Sequence, residues 1–120
     1  MHDVQILKGG ARFSVEGIRR VVASACERVG AERAILFGSY ARGTADAWSD
    51  VDLLIVCATR EPFLERFRLF PEILEALPGC ELLVYTPAEI EERRARGGVV
   101  GRAVEEGILL HERAEPRRAS

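Results

Sequence analysis

The chain has 120 residues, enough for one domain with a real core. Hydrophobic residues make up 48% and charged residues 30%, the balance of a soluble globular protein. A formal net charge of −2 excludes a global basic field of the kind that recruits nucleic acid.

Residues 1–13 read as an arm, with a short strand at 4–7. Ser14 can N-cap a helix that runs to about residue 29, with Gly30 as its stop. Ile18, Val21, Val22, Ala25 and Val29 fall on one face of that helix. Residues 33–37 then read as a strand and 39–42 as a short helical turn. A second strand over 51–58 is apolar almost throughout, which predicts a central place in its sheet. Residues 61–77 carry Phe63, Leu64, Phe67, Phe70, Ile73, Leu74 and Leu77 on one helical stripe. Pro71 is expected to kink or divide this helix, and Leu69, off the stripe, to be exposed along with part of the aromatic cluster, as a surface for a partner. A third strand covers 80–85. Thr86, Pro87 and Glu89 make a strong helix start: the Thr caps, the Pro takes the first helical position and the Glu reaches back. That helix ends near Gly97 and Gly98. Another follows over about 99–106, and a last short strand over 108–111. The tail from 113 reads as frayed. The fold class is a single α/β (α+β) domain, with a small mixed sheet flanked by helices and a core spanning about 14–112.

The cysteines are Cys26, Cys57 and Cys80, an odd count with no C-x-x-C spacing. Two lie in apolar runs, so buried free thiols are expected, with a reducing cytoplasm as the compartment. Residues 1–10 are too polar for a signal peptide, and no apolar stretch approaches the ~20 residues of a membrane helix.

The chemistry concentrates in "ILFGSYARGTADAWSDVDLLIV", residues 35–56. Asp50 and Asp52 are two apart on an extended segment and point the same way, with Cα atoms ~6.5–7 Å apart. Two carboxylates ~4 Å apart repel by roughly 4 kcal/mol at an effective dielectric of about 20. A divalent cation removes that cost, and Mg²⁺ suits all-oxygen ligands. Alone, the pair reads equally as a turn residue and an exposed strand end. Gly38 and Ser39 come directly after a strand and open a helical turn. Gly lets a ligand approach the backbone, and the turn's N–H groups with the Ser hydroxyl can bind an anion. Arg42 can lean over the same turn. Together the turn and the carboxylate pair suit a nucleoside triphosphate with its metal. Glu81, which opens an otherwise apolar strand, is the candidate third carboxylate.

Gly38, Ser39, Ala41, Arg42, Gly43, Ser49, Asp50, Asp52 and Leu53 stand at the spacing G-S-x-A-R-G-x5-S-D-x-D-L. This resembles the signature of the DNA polymerase beta-type nucleotidyltransferase superfamily, in its minimal nucleotidyltransferase (MNT) branch. The stretches "ELLVYTPAEIEE" and "AVEEGILLHE" are similar to that branch too. The resemblance implies that Asp50 and Asp52, with Glu81, bind two Mg²⁺ ions. It implies that Gly38 and Ser39, with Arg42 and Ser49, hold the triphosphate of ATP or another nucleoside triphosphate. An acceptor hydroxyl then attacks the α-phosphorus and pyrophosphate leaves. One departure stands out: the third carboxylate is often Asp in the family and is Glu81 here.

A catalytic module of about 100 residues leaves no second domain to read an acceptor, so the acceptor is expected from another chain. The resemblance implies a HEPN-domain toxin as partner, with this chain as its antitoxin and a toxin tyrosine as acceptor of AMP. Two other readings stay open: a binding-only antitoxin with a vestigial site, and a transferase acting on a small molecule such as an aminoglycoside. Arg93, Arg94 and Arg96 read as a solvated helix end or as a patch for RNA or an acidic partner. Trp48 either meets a nucleobase or partner or covers the core. Tyr40 could flank the nucleotide. His2 and His111 have no ligand spacing.

Overall fold

Ser14 starts helix α1, Val15–Val29, by accepting the Gly17 N–H on its hydroxyl at 2.9 Å, and Gly30 ends it in the left-handed conformation at φ 83°. The computed structural model describes residues 10–114, so the arm's expected strand at 4–7 and the end of the tail lie outside the described residues. After α1 come β1, Arg33–Phe37; α2, Ser39–Arg42; and β2, Asp52–Val56. A 3-10 helix, Phe63–Leu69, leads into α3, Pro71–Ala76, and then β3, Glu81–Tyr85. The chain closes with α4, Pro87–Arg96; α5, Gly98–Glu106; and β4, Ile108–Glu112.

The four strands form one sheet in the order β3-β2-β1-β4. The β1–β2 and β1–β4 pairs are antiparallel, and β2–β3 is parallel. The apolar β2 is central, as its composition predicts. Pleat alternation splits the core in two. On one face Leu36, Leu53 and Ile55 pack against Ile18 and Val22 of α1 and Ile73 of α3. On the other, Leu54, Val56 and Tyr85 pack against Ile90 of α4 and Val100 and Ala103 of α5. All three cysteines are free thiols; Cys26 and Cys57 are buried. Burial, helped by the nearby Cys57, pushes the Cys26 thiol up to about 12, so it stays protonated.

The helix expected over 61–77 is two elements. Pro71 forces Phe70 out of helical conformation, to φ −127° and ψ 56°, and the segment before it winds as a 3-10 helix. The single stripe is therefore broken. Phe70, Ile73 and Leu77 are buried, Leu69 is half-buried against the core, and Phe63, Leu64 and Phe67 are exposed. Exposure thus falls on part of the aromatic cluster, as expected, and on Leu64, but not on Leu69.

Arg66, in the 3-10 helix, is buried and clamps this region. Its guanidinium meets both Glu89 carboxylate oxygens, at 2.6 and 3.1 Å, and donates to the Val84 carbonyl at 3.0 Å. Glu89 also completes the expected capping box with Thr86. The clamp ties the crossover between β2 and β3 to the outer edge of β3 and to α4.

Candidate active site

The site forms where β1 ends and β2 and β3 begin. In the sheet, Phe37 pairs with Asp52, and Asp52 pairs with Glu81. Val51 is buried in the α1 face of the core, so Asp50 and Asp52 flank it and share the opposite side. Between β1 and α2 the chain turns at Gly38, with φ 75° and ψ −154°, a conformation open essentially to glycine. The Asp52 carboxylate presses against this turn. A Cβ on Gly38 would overlap Asp52 Oδ2 and stand 3.1 Å from its Cγ. Gly38 is thus demanded twice, by its backbone conformation and by its neighbour.

Three carboxylates influence one another here. Partial burial raises the Asp52 carboxyl above its ordinary value, the Glu81 and Asp50 carboxylates push it further up, and Arg42 pulls it back. Asp50 leans toward the start of β3, where its charge raises the Cys80 thiol, although burial is the larger cause there. Glu81 itself is exposed. Beside Gly38 a cleft of about 220 Å³ opens between α2 and α5, lined among others by Phe37, Arg42, Val99, Arg102 and Glu106. A second hollow of about 400 Å³ lies along β3 and includes Leu83, Tyr85, Arg93 and Arg96.

The profile of the nucleotidyltransferase domain family matches residues 18–110, which contain every part of this site. The chain belongs to that family. Among solved structures, a protein provisionally assigned as a minimal nucleotidyltransferase superposes with TM-score 0.55 at 29% identity. That match covers 82% of this chain and 98% of the other. A toxin–antitoxin complex with AMP-PNP superposes with TM-score 0.55 at 20% identity, over 79% of this chain and 73% of that one. A mutant of the MntA-HpeT toxin–antitoxin pair does so with TM-score 0.51 at 19% identity, over 78% and 72%. The last two show a shared fold. No match is found among curated proteins.

This nucleotidyltransferase brings Gly38, Arg42, Asp50, Asp52 and Glu81 to one end of its sheet. Ser39 starts α2, and its carbonyl accepts the Thr44 N–H at 3.0 Å. Its hydroxyl makes no hydrogen bond among the described residues, which leaves it available to a ligand. Ser49 is placed differently. Its hydroxyl closes the preceding loop, accepting from the Asp46 N–H at 2.9 Å and approaching Asp46 Oδ1 at 3.1 Å. Tyr40 is directed inward: it is buried in the α1 face of the core beside Phe13, and its hydroxyl has no partner among the described residues. Trp48 is 90% exposed, which removes the reading in which it covers the core.

Within the arginine cluster, Arg94 and Arg96 pair with Glu91 and Glu92 on their own helix, while Arg93 lies over the Tyr85 ring. Arg66 and Arg102 escaped the sequence reading. One looks like a polar interruption of a stripe, and the other lies half the chain away from the motif it faces.

A hard divalent cation fits the donors at the core of the site, because like charges crowd a half-buried carboxylate and every donor is oxygen. Asp50 and Asp52 are the residues that would hold it. Glu81 comes into register, yet among the described residues no three His, Cys, Asp or Glu side chains converge as a ligand set. Nor is any described helix long and apolar enough to cross a membrane.

Proposed function

We propose that this nucleotidyltransferase moves AMP from ATP to a tyrosine hydroxyl of a HEPN-type toxin and acts as that toxin's antitoxin. The observation that carries the reading is the Asp52 carboxylate set against the Gly38 turn, with Asp50 and Glu81 around it. Asp50 and Asp52 would hold a divalent cation such as Mg²⁺, which would supply charge neutralisation at the reacting phosphate. The Gly38–Ser39 turn offers backbone N–H groups and a hydroxyl to the outer phosphates, and Arg42 adds a cation. Glu81, level with Asp52 in the sheet, would be the third carboxylate and help hold the metal that activates the acceptor.

The acceptor's place is supported by the β3 hollow. Tyr85 lines it, and Phe63 packs on Tyr85 with ring centroids 5.3 Å apart. Phe63 leads on to the exposed Leu64 and Phe67, an apolar surface of the kind that docks a partner. The antitoxin role draws support from the toxin–antitoxin structures that share this fold, one bound to AMP-PNP and one altered by a tyrosine-to-alanine replacement.

A second reading is a binding-only antitoxin. It is favoured by one observation: Glu81, with its longer side chain, does not close a three-carboxylate set.

Titration with ATP tests the first step. Binding is expected with Mg²⁺ and lost in EDTA and in Asp50→Asn/Asp52→Asn; equal binding in EDTA refutes the metal role. Co-expression with the neighbouring gene's product, followed by intact-mass measurement of that product, tests the rest. A gain of one or more AMP units that vanishes in Asp52→Asn supports transfer. A complex that neutralises without any gain leaves the binding-only antitoxin, and no complex at all removes both antitoxin readings.

A further inference from the structure

A second arginine lines the cleft beside the Gly38 turn. Arg42 comes from α2 and Arg102 from α5, and both line the same space. Neither forms a salt bridge among the described residues, although seven other arginines do. The cleft begins at Gly38, where Asp52 stands, passes Arg42 and ends against α5. Phe37, Val99 and Ala103 make much of the remaining wall, so the charged side chains lining the space are Arg42, Arg102 and Glu106. Glu106, one turn beyond Arg102, supplies the carboxylate of the lining. Attraction between opposite charges strengthens when apolar walls replace water. A planar guanidinium also matches phosphate oxygens two at a time.

We propose that Arg102 is a positioning residue for the terminal phosphates of the nucleoside triphosphate, gripping with Arg42 the portion that leaves as pyrophosphate. The proposal rests on the nucleotidyl-transfer reading above. In that reaction the acceptor oxygen bonds to the α-phosphorus and its proton is released to water. The bond from the α-phosphorus to the bridging oxygen breaks, and its electron pair departs with pyrophosphate. Arg42 and Arg102 face the charge that gathers on this leaving group, while the monophosphate portion stays with Asp50 and Asp52.

The test is a ladder of affinities with Mg²⁺ present: ATP, AMP and inorganic tripolyphosphate, each against the full chain. Arg102→Gln is expected to weaken ATP and tripolyphosphate about tenfold and to leave AMP unchanged, with Arg102→Lys recovering part of the loss. Glu106→Gln, which removes a repelling carboxylate, is expected to tighten ATP and tripolyphosphate several-fold. Arg102 and Glu106 are exposed, so the melting temperature without ligand should not move. Unchanged ATP affinity in Arg102→Gln, or an equal loss for AMP, overturns the proposal and leaves nucleotidyl transfer standing. Should Arg102→Gln fail to fold, Glu106→Gln decides: no tightening overturns the proposal. A wild-type chain that binds neither ATP nor tripolyphosphate overturns both readings.

Discussion

Replacing Gly38 with alanine should damage the protein through two separable strains. The first is backbone. At φ 75° and ψ −154° a side chain costs roughly 1–3 kcal/mol. The second is the overlap of the new Cβ with Asp52 Oδ2. Asp52 is paired on both sides, with Phe37 and with Glu81, so its strand cannot yield and its side chain must rotate. Holding a side chain off its rotamer costs about 0.5–1.5 kcal/mol. The sum, roughly 1.5–4.5 kcal/mol, corresponds to a fall in melting temperature of about 6–18 °C for a domain of this size. A double-mutant cycle separates the two strains. Asp52→Ala removes the carboxylate and leaves the Asp52 Cβ, 3.4 Å from the added methyl, at the edge of ordinary contact. In that background Gly38→Ala should cost only the backbone part, so the coupling between the sites should be about 0.5–1.5 kcal/mol. Urea unfolding of the four proteins measures it. Equal cost in both backgrounds refutes the contact, and no cost in either refutes the turn conformation.

Asp52→Asn should be neutral or stabilising by up to roughly 1 kcal/mol in EDTA, because it removes a charge disfavoured by burial and by Glu81 and Asp50. A clear drop in melting temperature would make Asp52 a structural residue instead. Glu89 gives the acid limb of stability. Hydrogen bonds from Arg66 hold its carboxyl at about 2 against an ordinary 4.5. Its folded value lies below its unfolded one, so the contribution is complete above pH 4.5 and fades as pH falls toward 2. Glu89 is partly exposed, so the contribution is discounted to roughly 1–2 kcal/mol. Arg66→Met should flatten that part of the pH profile of urea midpoints, and an unaltered slope would refute the assignment. Tyr40→Phe removes a buried hydroxyl that has no partner among the described residues and should raise stability by about 1 kcal/mol in thermal melts. A loss would mean that the hydroxyl is satisfied in solution.

Local chemistry was legible wherever neighbours in sequence decide it. Ser14, Gly30 and the Thr86–Glu89 box mark helix ends because caps act over three or four residues. The Gly38 turn and the Asp50–Asp52 pair were legible for the same reason, since one short connection carries both. What escaped depends on partners elsewhere in the chain. The direction of Tyr40 is set by a core that forms only when α1 packs on the sheet. The stripe over 61–77 scores well on a helical wheel, but two prolines bound the 3-10 segment, and a helical wheel has no place for a 3-10 turn. Arg66 breaks the apolar pattern and is nevertheless buried, because Glu89 and the Val84 carbonyl meet it there.

Strand direction explains why the carboxylates meet at all. β1 runs toward the site, and β2 leaves it antiparallel, so the Gly38 turn and Asp52 fall together whatever happens downstream. Glu81 is different. It stands level with Asp52 because β3 is parallel to β2 and starts beside it. An antiparallel β3 in the same place would bring Tyr85 next to Asp52 and carry Glu81 about 13 Å away, the length of the strand. Parallel pairing requires the chain to return from the far end of β2, which residues 57–80 accomplish through the 3-10 helix and α3. The Arg66 clamp anchors this return path to the edge of β3 at Val84 and to α4 through Glu89. Loosening the clamp therefore acts on the site from the opposite end of β3, through Glu81, whose tie to Asp52 is the register of two five-residue strands.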